Sequence, residues 1–122
     1  CRDGVVILNI ASDLSIISPD QRIYGDGVKP ASYGVAKAGV VNLTKYLSTY
    51  LAKKNIRVNS LSPAGVYNNQ SDEFVSKFRD LIPMDRMAKP DEYKGAIVFM
   101  CSDASSFMTG HNLVIDGGRT IW

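Results

Sequence analysis

One histidine and two cysteines are the only imidazole and thiol groups in this 122-residue chain. Cys1 and Cys101 stand far apart, a spacing that makes neither a disulfide framework nor a metal site. So few cysteines fit a reducing cytoplasm. His111 follows Thr109-Gly110 and lacks partners for a catalytic triad or a zinc site, so a structural role at a strand entry is expected. Charge of one sign is scarce too. The 14 basic and 12 acidic side chains leave a net charge of +2, too small and too dispersed for a nucleic-acid or membrane surface. No run approaches the ~18 apolar residues of a membrane span. No signal peptide is visible, because Arg2-Asp3-Gly4 leads straight into a short apolar strand. The composition is that of a globular chain, 45% apolar and 21% charged, which argues against disorder. The length suits one domain over residues 1–122. The chain opens on Cys1 rather than Met and enters a strand almost at once, so it reads as part of a longer protein.

Val5-Val6-Ile7-Leu8-Asn9-Ile10 is a β-branched, apolar run of the kind buried on both faces of a parallel sheet. Residues 11–32 turn to Ser, Asp, Pro and Gly, a stretch long enough to be functional. A helix is expected from an N-cap at Ser32, with Ala36, Val40, Leu43, Leu47 and Leu51 as its buried stripe. Lys53 and Lys54 suit its last turn and Asn55 its close. Residues 56–61 form a second strand, stopped by Ser62-Pro63. Ser71, Asp72 and Glu73 open a short amphipathic helix carrying Phe74, Val75, Phe78 and Leu81, and Pro83 ends it. Pro90 starts another, with Asp91 and Glu92 in its acidic first turn and residues 97–101 as its buried end. Cys101 is expected there as an inert core thiol. Asn112-Leu113-Val114-Ile115 is a third strand, and Asp116-Gly117-Gly118 turns the chain. This order predicts a three-layer α/β unit of about three parallel strands joined by right-handed helical crossovers.

Chemistry gathers at three places. The first strand ends in Asn9-Ile10-Ala11-Ser12, which puts the Ser12 hydroxyl at the carboxyl edge of the sheet, where open α/β sheets bind ligands. Tyr33 and Lys37, four apart at the start of the next helix, share one helical face. The loop Ser62-Pro63-Ala64-Gly65-Val66-Tyr67-Asn68 opens on the same edge. A free phenol has a pKa of ~10, too high for a base at neutral pH, and an ammonium one turn away favours the phenolate. A facing serine hydroxyl holds a reacting oxygen and steadies its developing charge. Tyr50 and Lys54 repeat the spacing at the far end of the helix, where a lysine complements the helix dipole, so that pair reads as structural.

In these segments the chain resembles the short-chain dehydrogenases/reductases. The resemblance rests on Asn9 to Ser12, on Tyr33 to Lys37 continuing as Ala38-Gly39-Val40, and on Asn55-Ile56-Arg57-Val58-Asn59-Ser60-Leu61-Ser62-Pro63. It extends through Ser102-Asp103-Ala104-Ser105-Ser106-Phe107-Met108-Thr109-Gly110 to Asp116-Gly117-Gly118. It implies a Rossmann-like half, NAD or NADP as cofactor, and a small alcohol or carbonyl substrate, with Ser12, Tyr33 and Lys37 as catalytic residues. Tyr33, Lys37, Pro63, Ala64, Gly65, Val66 and Asn68 would hold the nicotinamide ribose and ring. It also implies a homo-oligomer, with Tyr46, Tyr50 and Trp122 as contact candidates.

Some features depart from the family. None of the ten glycines forms the glycine-rich turn that holds pyrophosphate, so the chain is expected to be the carboxyl-terminal half of that fold and inactive alone. Ser12 and Tyr33 are 21 residues apart, so the segment from Pro19 to Lys29 reads as an inserted, substrate-shaping loop. With Arg22-Ile23-Tyr24 it is similar to a bacterial subgroup associated with surface-sugar and flagellin modification. Ala64 and Asn68 replace the family's usual glycine and threonine. The alternative reading is a truncated, non-catalytic interaction module that self-associates or pairs with a complementary half through an unprotected strand edge.

Overall fold

In the computed structural model, which describes residues 4–122, the three apolar runs become one parallel sheet. Cys1 lies outside the described residues. Strands β1 (Val5–Ile10), β2 (Ile56–Pro63) and β3 (Asn112–Ile115) lie in that order. Val5 pairs with Ile56 and Ile10 with Leu61, then Ser60 with Asn112 and Pro63 with Ile115. The expected stop at Ser62-Pro63 is therefore corrected. Pro63 takes the last rung, where a missing N–H interrupts no further ladder. Burial on both faces belongs to β2, from Arg57 to Ser62. β1 falls short of it: Val5 and Ile10 are exposed, because no strand lies beyond β1 among the described residues.

Side chains alternate across the sheet, and the two faces take different helices. α1 (Ala31–Leu51) covers the face that carries Asn9, Ser60, Ser62 and Asn112. Asn9 Nδ2 donates to Thr44 Oγ1 at 3.0 Å, and the Ser60 and Ser62 hydroxyls both donate to Asn112 Oδ1. This layer is made of small hydroxyls and amides, so the buried residues of α1 are Thr44 and Ser48. The expected apolar stripe is displaced, with Ala36 and Leu43 exposed. The N-cap is Pro30, whose extended backbone precedes Ala31, and Ser32 already lies in the first turn. Asn55 closes the far end in the left-handed conformation, φ 57°.

α3 (Lys94–Cys101) covers the opposite face, where Leu61, Tyr93 and Met100 form a cluster with Leu8, Leu113 and Ile115. Pro90–Tyr93 is a 3-10 turn leading into it, and Glu92 accepts from the Lys89 N–H as a capping residue. Arg57 reaches beneath the end of α3 and donates to the carbonyls of Met100, Ser102 and Met108. A guanidinium at a helix C-terminus satisfies orphan carbonyls and complements the dipole. The tail after α3 is held to the sheet by Asn59, which donates to Met108 O and accepts from the His111 N–H. Only Met100 of the expected buried end is buried. Ile97, Val98, Phe99 and Cys101 are exposed, so Cys101 is a surface thiol rather than a core one.

The strands advance in one direction while α1 and α3 lie on opposite faces. The two crossovers therefore have opposite hands, and one departs from the right-handed expectation. The second connection first runs through α2 (Asp72–Arg79). Phe78 of α2 packs there with Ile23, Ile82 and Met87, at the end of the sheet where a cavity opens. A connection this long and separately anchored escapes the twist argument that governs tight β-α-β units.

Candidate active site

β1 delivers Ser12 to the carboxyl edge, where it caps a 3-10 turn over Asp13–Ser15. Ser12 Oγ accepts from the Leu14 N–H at 3.1 Å and donates to Asp13 Oδ1 at 2.9 Å. Asp13 Oδ1 also accepts from the Leu14 N–H, while Oδ2 receives Arg119 Nη1 at 2.6 Å. Both side chains of this ion pair are 4% exposed. Arg119 follows the Asp116-Gly117-Gly118 turn, and its guanidinium lies 4.7 Å from the Phe78 ring centroid. Neither Asp13 nor Arg119 stood out in the sequence. The available signal was a pair of opposite charges, one beside the strand-end serine and one beside the glycine turn.

Tyr33 and Lys37 stand on α1 facing the same cavity as Ser12, a space of about 340 Å³. Lys37 Nζ donates to Ile10 O at 3.0 Å and lies 5.8 Å from the Tyr33 ring centroid. Pro63, Ala64, Gly65 and Val66 line the cavity from the β2 side. Hydrogen bonds from Ala88 N–H to Gly65 O and from Tyr67 N–H to Ala88 O hold that loop. Gly65 is required by contact: a Cβ there would stand 2.4 Å from two ring carbons of Phe78. Asn68 is exposed and not part of the lining, its N–H donating to Gln70 Oε1. Gln70, not singled out in the sequence, does line the cavity and donates to Val66 O. Tyr50 and Lys54 make an exposed ring–ammonium contact of 5.9 Å, outside this lining. An adjoining cavity of about 220 Å³ shares Ala64 and Gly65, and its Arg86 is paired with Glu92.

Residues 19–29 close the cavity from the side. Asp20 accepts from the Arg22 side chain and N–H, which hold its carboxyl down at about 2. Ile23 is buried against Phe78, Ile82 and Met87. Tyr24 faces the cavity, and burial pushes its phenol up, so it stays a neutral donor. Gln21 clasps Lys29 by two hydrogen bonds, Lys29 N–H to Oε1 at 2.9 Å and Nε2 to Lys29 O at 3.0 Å. Lys29 Nζ lies 3.8 Å from the Tyr33 ring centroid. The segment was legible as a wall of the site, but Lys29 itself was not.

A family model described as enoyl-(acyl carrier protein) reductase matches residues 7–120. A short chain dehydrogenase from Leptospira borgpetersenii, solved with bound NAD+, superposes with a TM-score of 0.90 at 40% identity, covering 95% of this chain and 44% of that one. This chain belongs to the short-chain dehydrogenase/reductase family. Similar members include the ribulose-forming D-arabinitol 2-dehydrogenase of Candida tropicalis, 42% identical over 82% of this chain and 38% of the relative. Post-translational flagellin modification protein A of Campylobacter coli is 35% identical over 92% of this chain and 44% of its own length. The chain thus spans less than half the length of these relatives. Solved members carry NAD+ or NADP. The short-chain dehydrogenase residues here fit the nicotinamide end of such a cofactor. Lys37 uses one ammonium donor on Ile10 O and has others available that would suit a ribose diol, and residues 63–66 line the same cavity.

Proposed function

We propose that the chain is the catalytic half of an NAD(P)-dependent oxidoreductase acting on a small, sugar-related alcohol or carbonyl compound. One observation carries this reading: Ser12, Tyr33 and Lys37 line a single cavity at the carboxyl edge of the sheet. The nicotinamide, when bound, accepts or supplies the hydride. Tyr33 takes the proton from an alcohol oxygen, or gives one to a carbonyl oxygen, as the hydride moves. Lys37 steadies the negative charge that Tyr33 carries after losing its proton and anchors the ribose. Ser12 holds the reacting oxygen against Tyr33. Residues 63–66 and Gln70 wall off the opposite side and limit water.

The same proposal explains the bare surfaces. The free edge of β1 and the exposed Val98 and Phe99 are where the rest of the family fold would pack. Tyr46 and Tyr50 stack on the outer face of α1, a surface suited to a second copy in a homo-oligomer. No helix among the described residues is long and apolar enough to cross a membrane. The test follows NAD(P)H absorbance with the full-length protein and a panel of polyols and ketoses. Tyr33→Phe is expected to lower kcat by ~10²–10⁴-fold, the range for a lost acid/base group. Equal rates for both proteins would end this reading.

A further inference from the structure

The charges around the cavity are unequal. Both oxygens of Asp13 are engaged, Oδ1 by Ser12 and Leu14 and Oδ2 by Arg119. Arg119 is in turn neutralised by Asp13. Two ammonium groups are left facing the space, Lys37 and Lys29, and no carboxylate among the described residues pairs with Lys29. Lys29 is also held in place. Gln21 clasps its backbone from both sides, and Ile23, between the two, is buried in the core. Its cation–π contact with Tyr33 uses the face of the ring and leaves the ammonium N–H groups available as donors.

The hydrogen-bonding capacity beside Tyr33 has the same bias. Tyr24 offers a neutral phenol that donates as well as accepts, Lys29 offers donors and no acceptor, and both polar ends of Gln70 are occupied by its own loop. A neutral polyol presents hydroxyls that need acceptors as well as donors. A carboxylate or phosphate presents acceptors alone, and its charge complements the Lys29 ammonium, since Lys37 is engaged with Ile10 O and the cofactor side.

We propose that the site takes a substrate bearing an anionic substituent next to the reacting carbon, and that Lys29 recognises it. This deepens, and rests on, the oxidoreductase reading of the same cavity. Compare kcat/KM of the full-length protein for a neutral polyol, the aldonate of the same chain length and a sugar phosphate. In wild type at least one anionic compound is preferred, and the better of the two identifies the substituent. In Lys29→Gln the anionic-to-neutral ratio falls ~10–100-fold, the value of one charge-assisted hydrogen bond. Lys29→Arg keeps the ratio. If Lys29→Gln lowers all three alike, Lys29 acts through Tyr33 instead and the proposal is overturned. A preference for the polyol in wild type overturns it as well. Tyr33→Phe separates the two levels: loss of all turnover with an unmoved ratio in Lys29→Gln sinks only the Lys29 assignment, whereas retained turnover sinks the oxidoreductase reading beneath it.

Discussion

Replacing Arg119 by methionine would leave the Asp13 carboxylate buried without its cation. The pair is 2.6 Å apart and both side chains are 4% exposed, so solvent screens it little. At an effective dielectric near 20, unit charges ~4 Å apart attract by about 4 kcal/mol. Breaking a buried pair from one side costs about 3–5 kcal/mol. Asp13 Oδ1 keeps the Ser12 and Leu14 donors, and methionine keeps contact with the Phe78 ring, so we expect the lower end, about 3 kcal/mol. Asp13→Asn alone strands the arginine and costs a similar amount. The double variant buries neither charge, and its loss falls short of the sum of the single losses by about 2–3 kcal/mol. Urea unfolding of the full-length protein, followed by circular dichroism at constant m-value, measures all four corners of the cycle. Additivity to within about 0.5 kcal/mol would refute the reasoning.

Gly65→Ala is expected to lose about 1–3 kcal/mol, because its Cβ must displace a Phe78 ring already packed beneath Arg119. Weaker NADH binding by calorimetric titration should accompany the loss, and an unchanged melt with unchanged binding would contradict it. Asp116 gives a pH signature. Burial raises its carboxyl, but hydrogen bonds from Thr120 and Gly118 outweigh that and hold it below its ordinary 3.8. Its folded value lies below its unfolded one, so its stabilisation is complete above pH ~4 and fades as acid protonates the folded form. The stability gap between wild type and Asp116→Asn should therefore shrink as pH falls below ~4, and urea midpoints that differ equally at every pH would count against it.

The strands and the Ser12, Tyr33 and Lys37 cluster were legible because they follow periodicity and position. β-branched runs make strands, and residues four apart share a helical face. The buried face of α1 was not legible. Apolar periodicity singles out Leu43, whereas the sheet presents Asn9, which pairs with Thr44, and Ser48 packs against Gly110. Hydrogen-bonded small residues leave no hydrophobic stripe to read. At α3, Val98 and Phe99 carry the apolar character of a core helix yet lie exposed, so composition there does not report burial within the described residues. Lys29 and Arg119 enter the site through contacts across loops, Lys29 over Tyr33 and Arg119 against Asp13. Local pattern carries no trace of such contacts.

The clasp between Asp13 and Arg119 joins positions 106 residues apart. Ribosomes add about 5–20 residues per second, so Asp13 is exported roughly 5–20 seconds before its cation exists. Throughout that interval the carboxylate has only water and its neighbours Ser12 and Leu14 as partners. The Arg119 side of the cavity is consequently among the last of its parts to be supplied on a nascent chain.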